Sequence, residues 1–148
     1  IKSGASIIQI FDSWAGLLPE KDLDYFVYKP IKSLVDFIRQ KKTISICFPR
    51  NINNYKKFVD NVNPDIISID YNVNPSIIRD TIDIPIQGGL DPKILLQSKE
   101  AVKKEVTKYL KTFEKKKYIF NLGHGVLPET NPDMVRYLVD EVRSFNGQ

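Results

Sequence analysis

The chain has 148 residues, 42% hydrophobic and 27% charged, a composition typical of a globular protein that forms one ordinary domain or a piece of a larger one. Its net charge is +4, and no apolar run approaches the roughly 18 residues that a membrane-spanning helix needs. The N-terminus lacks a secretory signal, and the single cysteine, Cys47, excludes an internal disulfide framework, so we expect a cytoplasmic protein with no membrane partner.

The first half of the chain predicts two strands, each followed by a helix. Residues 5–11 are almost continuously apolar, which indicates a strand of a parallel sheet covered on both faces. A helix over 23–40 follows, with Pro30 as a kink or as the start of its second segment. Its apolar stripe is Ile31, Leu34, Val35 and Ile38. Residues 43–48 predict the second strand, and a short helix through Tyr55, Phe58 and Val59 comes next.

The second half continues the same alternation. Strands are predicted at 65–71, 84–87 and 118–122, and a short helix at 75–80. A long helix over 99–113 starts at Ser98 as its N-cap, and the last helix starts at Asn131 with Pro132 in its first position. The last helix has the apolar stripe Val135, Leu138, Val139 and Val142, with Gly147 near its end.

Much of the positive charge lies in residues 99–117. A polybasic helix face can bind nucleic acid or an anionic membrane. Here Glu100, Glu105 and Glu114 interrupt the charge, and no aromatic or glycine platform accompanies it. We therefore interpret this stretch as a solvated helix face and expect no nucleic-acid partner.

Five strands alternating with helices predict an α/β fold with a parallel sheet. The sheet could be open and doubly wound, or part of a (β/α)8 barrel. The unusual residues follow strand ends, as a barrel would require, because it gathers all such loops on its carboxyl-terminal face. A whole barrel needs about 250 residues, so 148 residues could form little more than half of one. The opening Ile1-Lys2-Ser3, without an initiator Met, likewise indicates a longer protein.

Two polar residues directly after strands are candidates for ligand contact. His124 is the only histidine and lies between two glycines, which allow a ligand to approach closely. Ser13 follows the first strand and could bind a ligand carboxylate, or it could cap local backbone amides instead. Phe11 and Trp14 beside it could line an apolar pocket. Ser13 is not in a G-x-S-x-G elbow, so hydrolase chemistry is not indicated.

Other strand-end residues have weaker functional signals. Asp70 could be an acid or base, whereas Asp91 before Pro92 is typical of a turn or helix cap. Gly88-Gly89 is followed by neither a G-x-G-x-x-G nor a Walker pattern, which argues against an open-sheet nucleotide binder.

Several motifs together resemble the uroporphyrinogen decarboxylase family in order and spacing, over nearly all of the chain. They are Phe-Asp-Ser-Trp-Ala-Gly at 11–16, Gln-Gly-Gly-Leu-Asp-Pro at 87–92, Phe-Asn-Leu-Gly-His-Gly at 120–125 and Pro-Glu-Thr-Asn-Pro at 128–132. Ile69-Asp70-Tyr71 also resembles that family's strand end, with Tyr in place of Trp. The asparagine-leucine-glycine-histidine-glycine stretch is the most specific part.

The resemblance implies that residues 1–148 are the C-terminal part of a single (β/α)8 barrel domain that forms a homodimer. It implies decarboxylation of uroporphyrinogen III to coproporphyrinogen III with release of four CO2, in haem biosynthesis, with neither metal nor organic cofactor. Ser13, His124 and Phe11 match substrate-contacting positions. The family's arginine-bearing loop, central aspartate and tyrosine belong to its N-terminal half, so we assign no catalytic residue here and expect the chain alone to be inactive.

Two further alternatives stay open. The zinc-dependent corrinoid or cobalamin methyltransferases share the barrel but need a His-x-Cys and a later Cys, whereas Gly125 and Val126 follow His124 and Cys47 has no partner. The other alternative is a non-catalytic binding fragment, against which the intact Ser13 and His124 argue mildly.

Overall fold

Five parallel strands form the sheet of the computed structural model, which describes residues 1–145. They are β1 (Ile7–Asp12), β2 (Ile44–Pro49), β3 (Ile66–Ile69), β4 (Ile86–Gly88) and β5 (Tyr118–Ile119). Each strand pairs with the next one in sequence, so the order is β1-β2-β3-β4-β5. A doubly wound sheet reverses its strand order at a switch point, whereas a barrel does not. The parallel α/β prediction is therefore confirmed, with the strand order of part of a (β/α)8 barrel.

Four helices connect these strands, and a fifth follows β5. They are α1 (Lys29–Gln40), α2 (Tyr55–Val62), α3 (Pro75–Thr81), α4 (Lys99–Phe113) and α5 (Pro132–Ser144). The predicted caps of the last two are confirmed, because Ser98 accepts from the Ala101 N–H and Asn131 from the Asp133 N–H. Within residues 1–145, no helix combines the length and hydropathy needed to cross a membrane.

The predicted helix over 23–40 is helical along its whole length but is not one regular α-helix. A π-helical turn at Asp24–Tyr28 precedes α1, and Pro30 lies in the first turn of α1. Proline has no N–H to donate to the preceding turn, so it begins the second segment rather than continuing the first. Leu34, predicted to lie in the apolar stripe of this helix, is instead 50% exposed.

The apolar core lies between the outer face of the sheet and the helices. Strand residues such as Cys47, Ile67 and Ile86 belong to one buried cluster with Phe58 and Phe113 from the helices. In α5 only Leu138 of the predicted stripe is fully buried, and Val139 is 36% exposed. Gly147, expected near the end of the last helix, lies outside the described residues.

The inner face of the sheet is curved into a concave surface. Side chains alternate along each strand, so Gln9 on β1 and Gln87 on β4 point away from the helix-covered face. Gln87 Nε2 donates to Gln9 Oε1 at 3.3 Å, although β2 and β3 lie between them. In a flat sheet three strand spacings would separate β1 and β4 by about 14 Å. The hydrogen bond is therefore evidence that the sheet curls as a barrel wall does.

Two strands end two or more residues before their predicted carboxyl-terminal bounds. The third strand ends at Ile69 rather than Tyr71, and the carboxylate of Asp70 bonds to loop N–H groups. The fifth covers only Tyr118–Ile119, and Leu122 returns to a single bridge with Leu90. A 3-10 helix at Pro92–Leu96 follows β4, directly after Asp91, which the sequence predicted as a turn or helix-cap residue.

Candidate active site

A cavity of about 280 Å3 opens on the concave face at the carboxyl ends of the strands. Its lining comes from both edges and the middle of the sheet: Gln9, Phe11, Ser13, Phe48, Ser68 and residues 121–125. The structure thus brings together the predicted site residues Phe11, Ser13 and His124. A larger groove of about 510 Å3 lies along α2 and α3 and contains none of these three residues. We therefore take the smaller cavity as the candidate site.

Ser13 is held at the rim by the loop after β1. Asp12, rather than Ser13, caps this loop, since its Oδ1 accepts from the Trp14 N–H at 3.3 Å. The loop is joined to the residue that follows β2, since the Arg50 N–H donates to the Asp12 carbonyl at 3.0 Å. Among residues 1–145 no partner satisfies the Ser13 hydroxyl. The hydroxyl is thus available to a ligand, which favours the binding interpretation over local capping.

His124 presents a hydrogen-bond donor at the opposite side of the same cavity. The Gly125 N–H donates to Nδ1 at 2.6 Å. A neutral imidazole has one donor and one acceptor nitrogen, so this contact places its proton on Nε2. The side chain is exposed and lines the cavity. Nε2–H can therefore donate to an acceptor on a bound ligand.

The turn before His124 depends on a close backbone approach. The Gly123 N–H donates to the Leu90 carbonyl at 2.8 Å, which joins this turn to the loop after β4. A Cβ at Gly123 would collide with the backbone of Asp70 and Tyr71, whereas one at Gly125 would meet open space. Gly123 therefore lets the histidine loop pack against the end of β3.

The two aromatic candidates have different positions. Phe11 is 66% exposed on the concave face, lines the cavity and packs edge-to-face with Phe48, with ring centroids 6.0 Å apart. Trp14, which the sequence suggested could line an apolar pocket, is 71% exposed and is not among the residues that line this cavity. An exposed aromatic such as Phe11 offers a flat apolar face to a ring-shaped ligand.

Asp70 organises the loops beneath the site. Its buried carboxylate accepts from the Asn51 N–H at 2.7 Å and the Tyr55 hydroxyl at 2.8 Å through Oδ2, and from the Asn72 N–H at 2.7 Å through Oδ1. Burial first, and the Asp70 charge second, raise the pKa of Tyr55, so its hydroxyl remains a donor. With its oxygens committed to the protein, Asp70 serves as an anchor rather than as an acid or base.

Tyrosines fix the Gly88-Gly89 turn in a similar way. The Tyr118 hydroxyl donates to the Gly88 carbonyl at 2.6 Å, and the Tyr109 hydroxyl to the Gly89 carbonyl at 2.9 Å. Gly88 has a φ of +94°, which strongly favours glycine. Asp91 Oδ1 caps the following 3-10 helix by accepting from the Lys93 N–H, as its interpretation as a turn residue predicted. The paired glycines are thus a structural turn.

Sequence reasoning missed four polar or aromatic contributors to the cavity, although one of them, Asn121, lies within a recognised motif. The other three, Gln9, Phe48 and Ser68, lie within strands, where only Phe11 was recognised as a candidate. A signal did exist for Gln9 and Ser68. Each is a polar side chain within an otherwise apolar strand, at the position that alternation assigns to the inner face.

A zinc site of the methyltransferase type is not favoured by this geometry. Cys47 is buried in the helix-facing core, and burial raises the pKa of its thiol to about 12. His124 lines the cavity on the other face of the sheet. Across the described residues no three His, Cys, Asp or Glu side chains form a group that could hold a metal ion.

Comparisons with known proteins agree with the motif pattern. Residues 1–145 match the family model described as "Uroporphyrinogen decarboxylase (URO-D)". The uroporphyrinogen decarboxylase of Rickettsia bellii (strain RML369-C) is 43% identical over 153 residues, which cover 98% of this chain and 44% of the relative. The uroporphyrinogen decarboxylase of Rickettsia felis is 39% identical over 148 residues, which cover 97% of this chain and 43% of that relative. The chain thus spans less than half the length of these curated relatives.

Proposed function

The chain belongs to the uroporphyrinogen decarboxylase family, and from that membership we propose that it is the C-terminal portion of a single barrel domain that decarboxylates uroporphyrinogen III to coproporphyrinogen III in haem biosynthesis. The observation that supports this proposal most is the shared cavity of Ser13 and His124. Ligands of barrel enzymes bind at this carboxyl-terminal face.

The proposed reaction replaces each of four acetate side chains by a methyl group. Protonation of a pyrrole carbon makes the ring cationic. The bond between the side-chain CH2 and its carboxylate then breaks, CO2 leaves, and the electron pair neutralises the ring. A proton adds to the resulting methylene carbon while the ring loses the first proton. Each cycle therefore consumes one proton and releases one CO2, and the ring itself accepts the electrons, so we propose no metal or organic cofactor.

The residues of this chain have binding roles in the proposal. The Ser13 hydroxyl and His124 Nε2–H donate to carboxylates of the macrocycle, and Phe11 packs against a pyrrole ring. Hydrogen bonds to charged acceptors are about twice as strong as neutral ones, so these donors orient an anionic substrate effectively. Fixed donors of this kind also stabilise charge that develops during reaction.

The 148 residues supply only part of the machinery in this proposal. The cavity of about 280 Å3 is below the range of roughly 300–1000 Å3 typical of whole ligand sites. Among the described residues its lining includes no lysine or arginine to neutralise eight carboxylates. We expect the chain by itself to give no measurable turnover. We also propose that the whole protein is a cytoplasmic homodimer that binds neither nucleic acid nor membranes.

The test is an anaerobic decarboxylation assay with uroporphyrinogen III. The full-length protein that contains this chain should yield coproporphyrinogen III through products with seven, six and five carboxylates, separated by chromatography. Absence of all these products from a folded full-length protein would contradict the proposed function.

A further inference from the structure

Three polar side chains form a connected group at the floor of the cavity. Gln87 is buried, and its Nε2 donates to Gln9 Oε1 at 3.3 Å and to Ser68 Oγ at 3.2 Å. Gln9 and Ser68 line the cavity, whereas Gln87 lies behind them. The group joins β1, β3 and β4 across the concave face. Polar groups in such a place are costly to bury unless each is satisfied.

The direction of these hydrogen bonds determines which donor and acceptor groups are presented to a ligand in the cavity. Gln87 uses its two amide protons on Gln9 Oε1 and Ser68 Oγ, so both of those oxygens act as acceptors toward the interior. The amide protons of Gln9 and the hydroxyl proton of Ser68 take no part in these two hydrogen bonds. Both residues line the cavity, so these protons are available to a ligand there.

Two further polar side chains of the lining also present hydrogen-bond donors to the cavity. Asn121 Oδ1 accepts from the Leu122 N–H at 2.8 Å, which leaves the Asn121 amide protons available as donors. His124 donates through Nε2, as its contact with Gly125 requires. Along the described residues, neither Asp nor Glu lines the cavity. A carboxylate accepts hydrogen bonds only, whereas a pyrrole N–H only donates, so these free donors favour a carboxylate over a pyrrole N–H.

We propose that Gln9 and Ser68 bind one carboxylate of the substrate at the cavity floor, and that Gln87 is a positioning residue that turns both donors toward it. The identity of the ligand rests on the proposed function, but the preference for an anionic acceptor follows from the hydrogen-bond directions. Ser13 and His124 then bind carboxylates at the rim. The contacts of one carboxylate with Gln9 and Ser68 set the depth to which its pyrrole unit enters the cavity.

The experiment is NMR of the 15N-labelled full-length protein that contains this chain, observing the side-chain amide signals of glutamine. The probes are pyrrole-3-acetate and its neutral analogue pyrrole-3-acetamide. We expect the acetate to shift the Gln9 amide signals and the acetamide to do so at about tenfold higher concentration, since one charge-assisted hydrogen bond has roughly that effect. The Gln87 amide protons should exchange slowly with solvent and respond little.

Two variants separate positioning from a general structural effect. Gln87→Leu removes the donors that orient Gln9 and Ser68, so the preference for acetate over acetamide should fall to about twofold or less. Gln97→Leu, at an exposed glutamine, should leave that preference unchanged. If Gln87→Leu does not fold, the response of the wild-type Gln9 amide signals to the acetate and the acetamide still tests the inference.

Gln9 amide signals that ignore pyrrole-3-acetate, or that respond equally to the acetamide, would overturn this inference. Its failure is distinguishable from failure of the proposed function. An active full-length enzyme whose Gln9 amides ignore the acetate would refute the inference alone, and an inactive full-length protein whose chain prefers the acetate would refute only the proposed function.

Discussion

Ser13 follows β1 and His124 follows β5, the two edge strands of the sheet, yet both residues line the same cavity. In a flat sheet four strand spacings would separate the two strands by about 19 Å. The curvature that brings Gln87 within hydrogen-bond distance of Gln9 also brings the two edges toward one another. One binding site is therefore assembled from residues more than a hundred positions apart.

Replacement of His124 tests its role as a donor. In the full-length protein, His124→Ala should lower kcat/KM for uroporphyrinogen III by about tenfold or more, because the Nε2–H contact is lost. His124→Gln should retain more activity, since its Nε2 can donate from nearly the same place. Equal losses in both variants, measured by steady-state decarboxylation, would contradict a donor role.

The glycines on either side of His124 should differ in their sensitivity to alanine. Gly123→Ala places a methyl group against the backbone of Asp70 and Tyr71, so we expect a loss of about 2 kcal/mol or more in the free energy of unfolding. Gly125→Ala meets no neighbouring atom and should change the stability by less than about 0.5 kcal/mol. Urea denaturation of both variants measures the difference, and a tolerated Gly123→Ala would show that the loops do not pack as described.

Asp70 and Asp91 allow a matched comparison of two strand-end carboxylates. Asp70→Asn sets an NH2 group against donors such as the Asn51 N–H, which cannot reverse, so we expect about 3 kcal/mol of destabilisation. Asp91→Asn keeps a good N-cap oxygen for the Lys93 N–H and should cost less than about 0.5 kcal/mol. Chemical denaturation distinguishes the two. If Asp70→Asn retained wild-type stability, Asp70 would not be a structural anchor.

Buried acids predict a loss of stability at alkaline pH. Burial raises the pKa of Cys47 from 9.0, and that of Tyr109 from 10.0, to about 12 in the folded protein. Because the unfolded chain ionises first, stability is complete below pH 9 and falls as pH rises toward 12, by at most about 1.4 kcal/mol per pH unit for each group.

The Cys47 contribution can be isolated with Cys47→Ala. Between pH 9 and 10 the wild type should lose stability more steeply than this variant, although the variant is less stable throughout because a cavity is created. Urea denaturation at pH 7, 9 and 10 provides the slopes. Identical slopes would mean that the Cys47 thiol is not protected from ionisation.

Local chemistry explains why much of the fold was predictable. The caps at Ser98 and Asn131, and the start of a helical segment at Pro30, depend on residues within one turn of each other. The motifs at 11–16 and 120–125 likewise identified the loops that form the cavity rim.

The floor of the cavity was not predictable in the same way. Gln9, Ser68 and Gln87 are far apart in sequence, and their contact depends on the curvature of the whole sheet. The roles of Asp70 and Asp12 were similarly hidden, because a carboxylate at a strand end can be either a chemical group or an anchor until its partners are known.

Chemical cross-linking tests the shared cavity most directly. In a Cys47→Ala background, the pair Ser13→Cys and His124→Cys should be joined within one chain by a short thiol-reactive cross-linker, as detected by mass spectrometry. The control pair replaces His124→Cys by Lys42→Cys, an exposed position just before β2 at the amino-terminal end of the sheet. We expect efficient linkage of the first pair and little of the second. Failure of the first pair in a folded chain, or equal linkage of both, would contradict it.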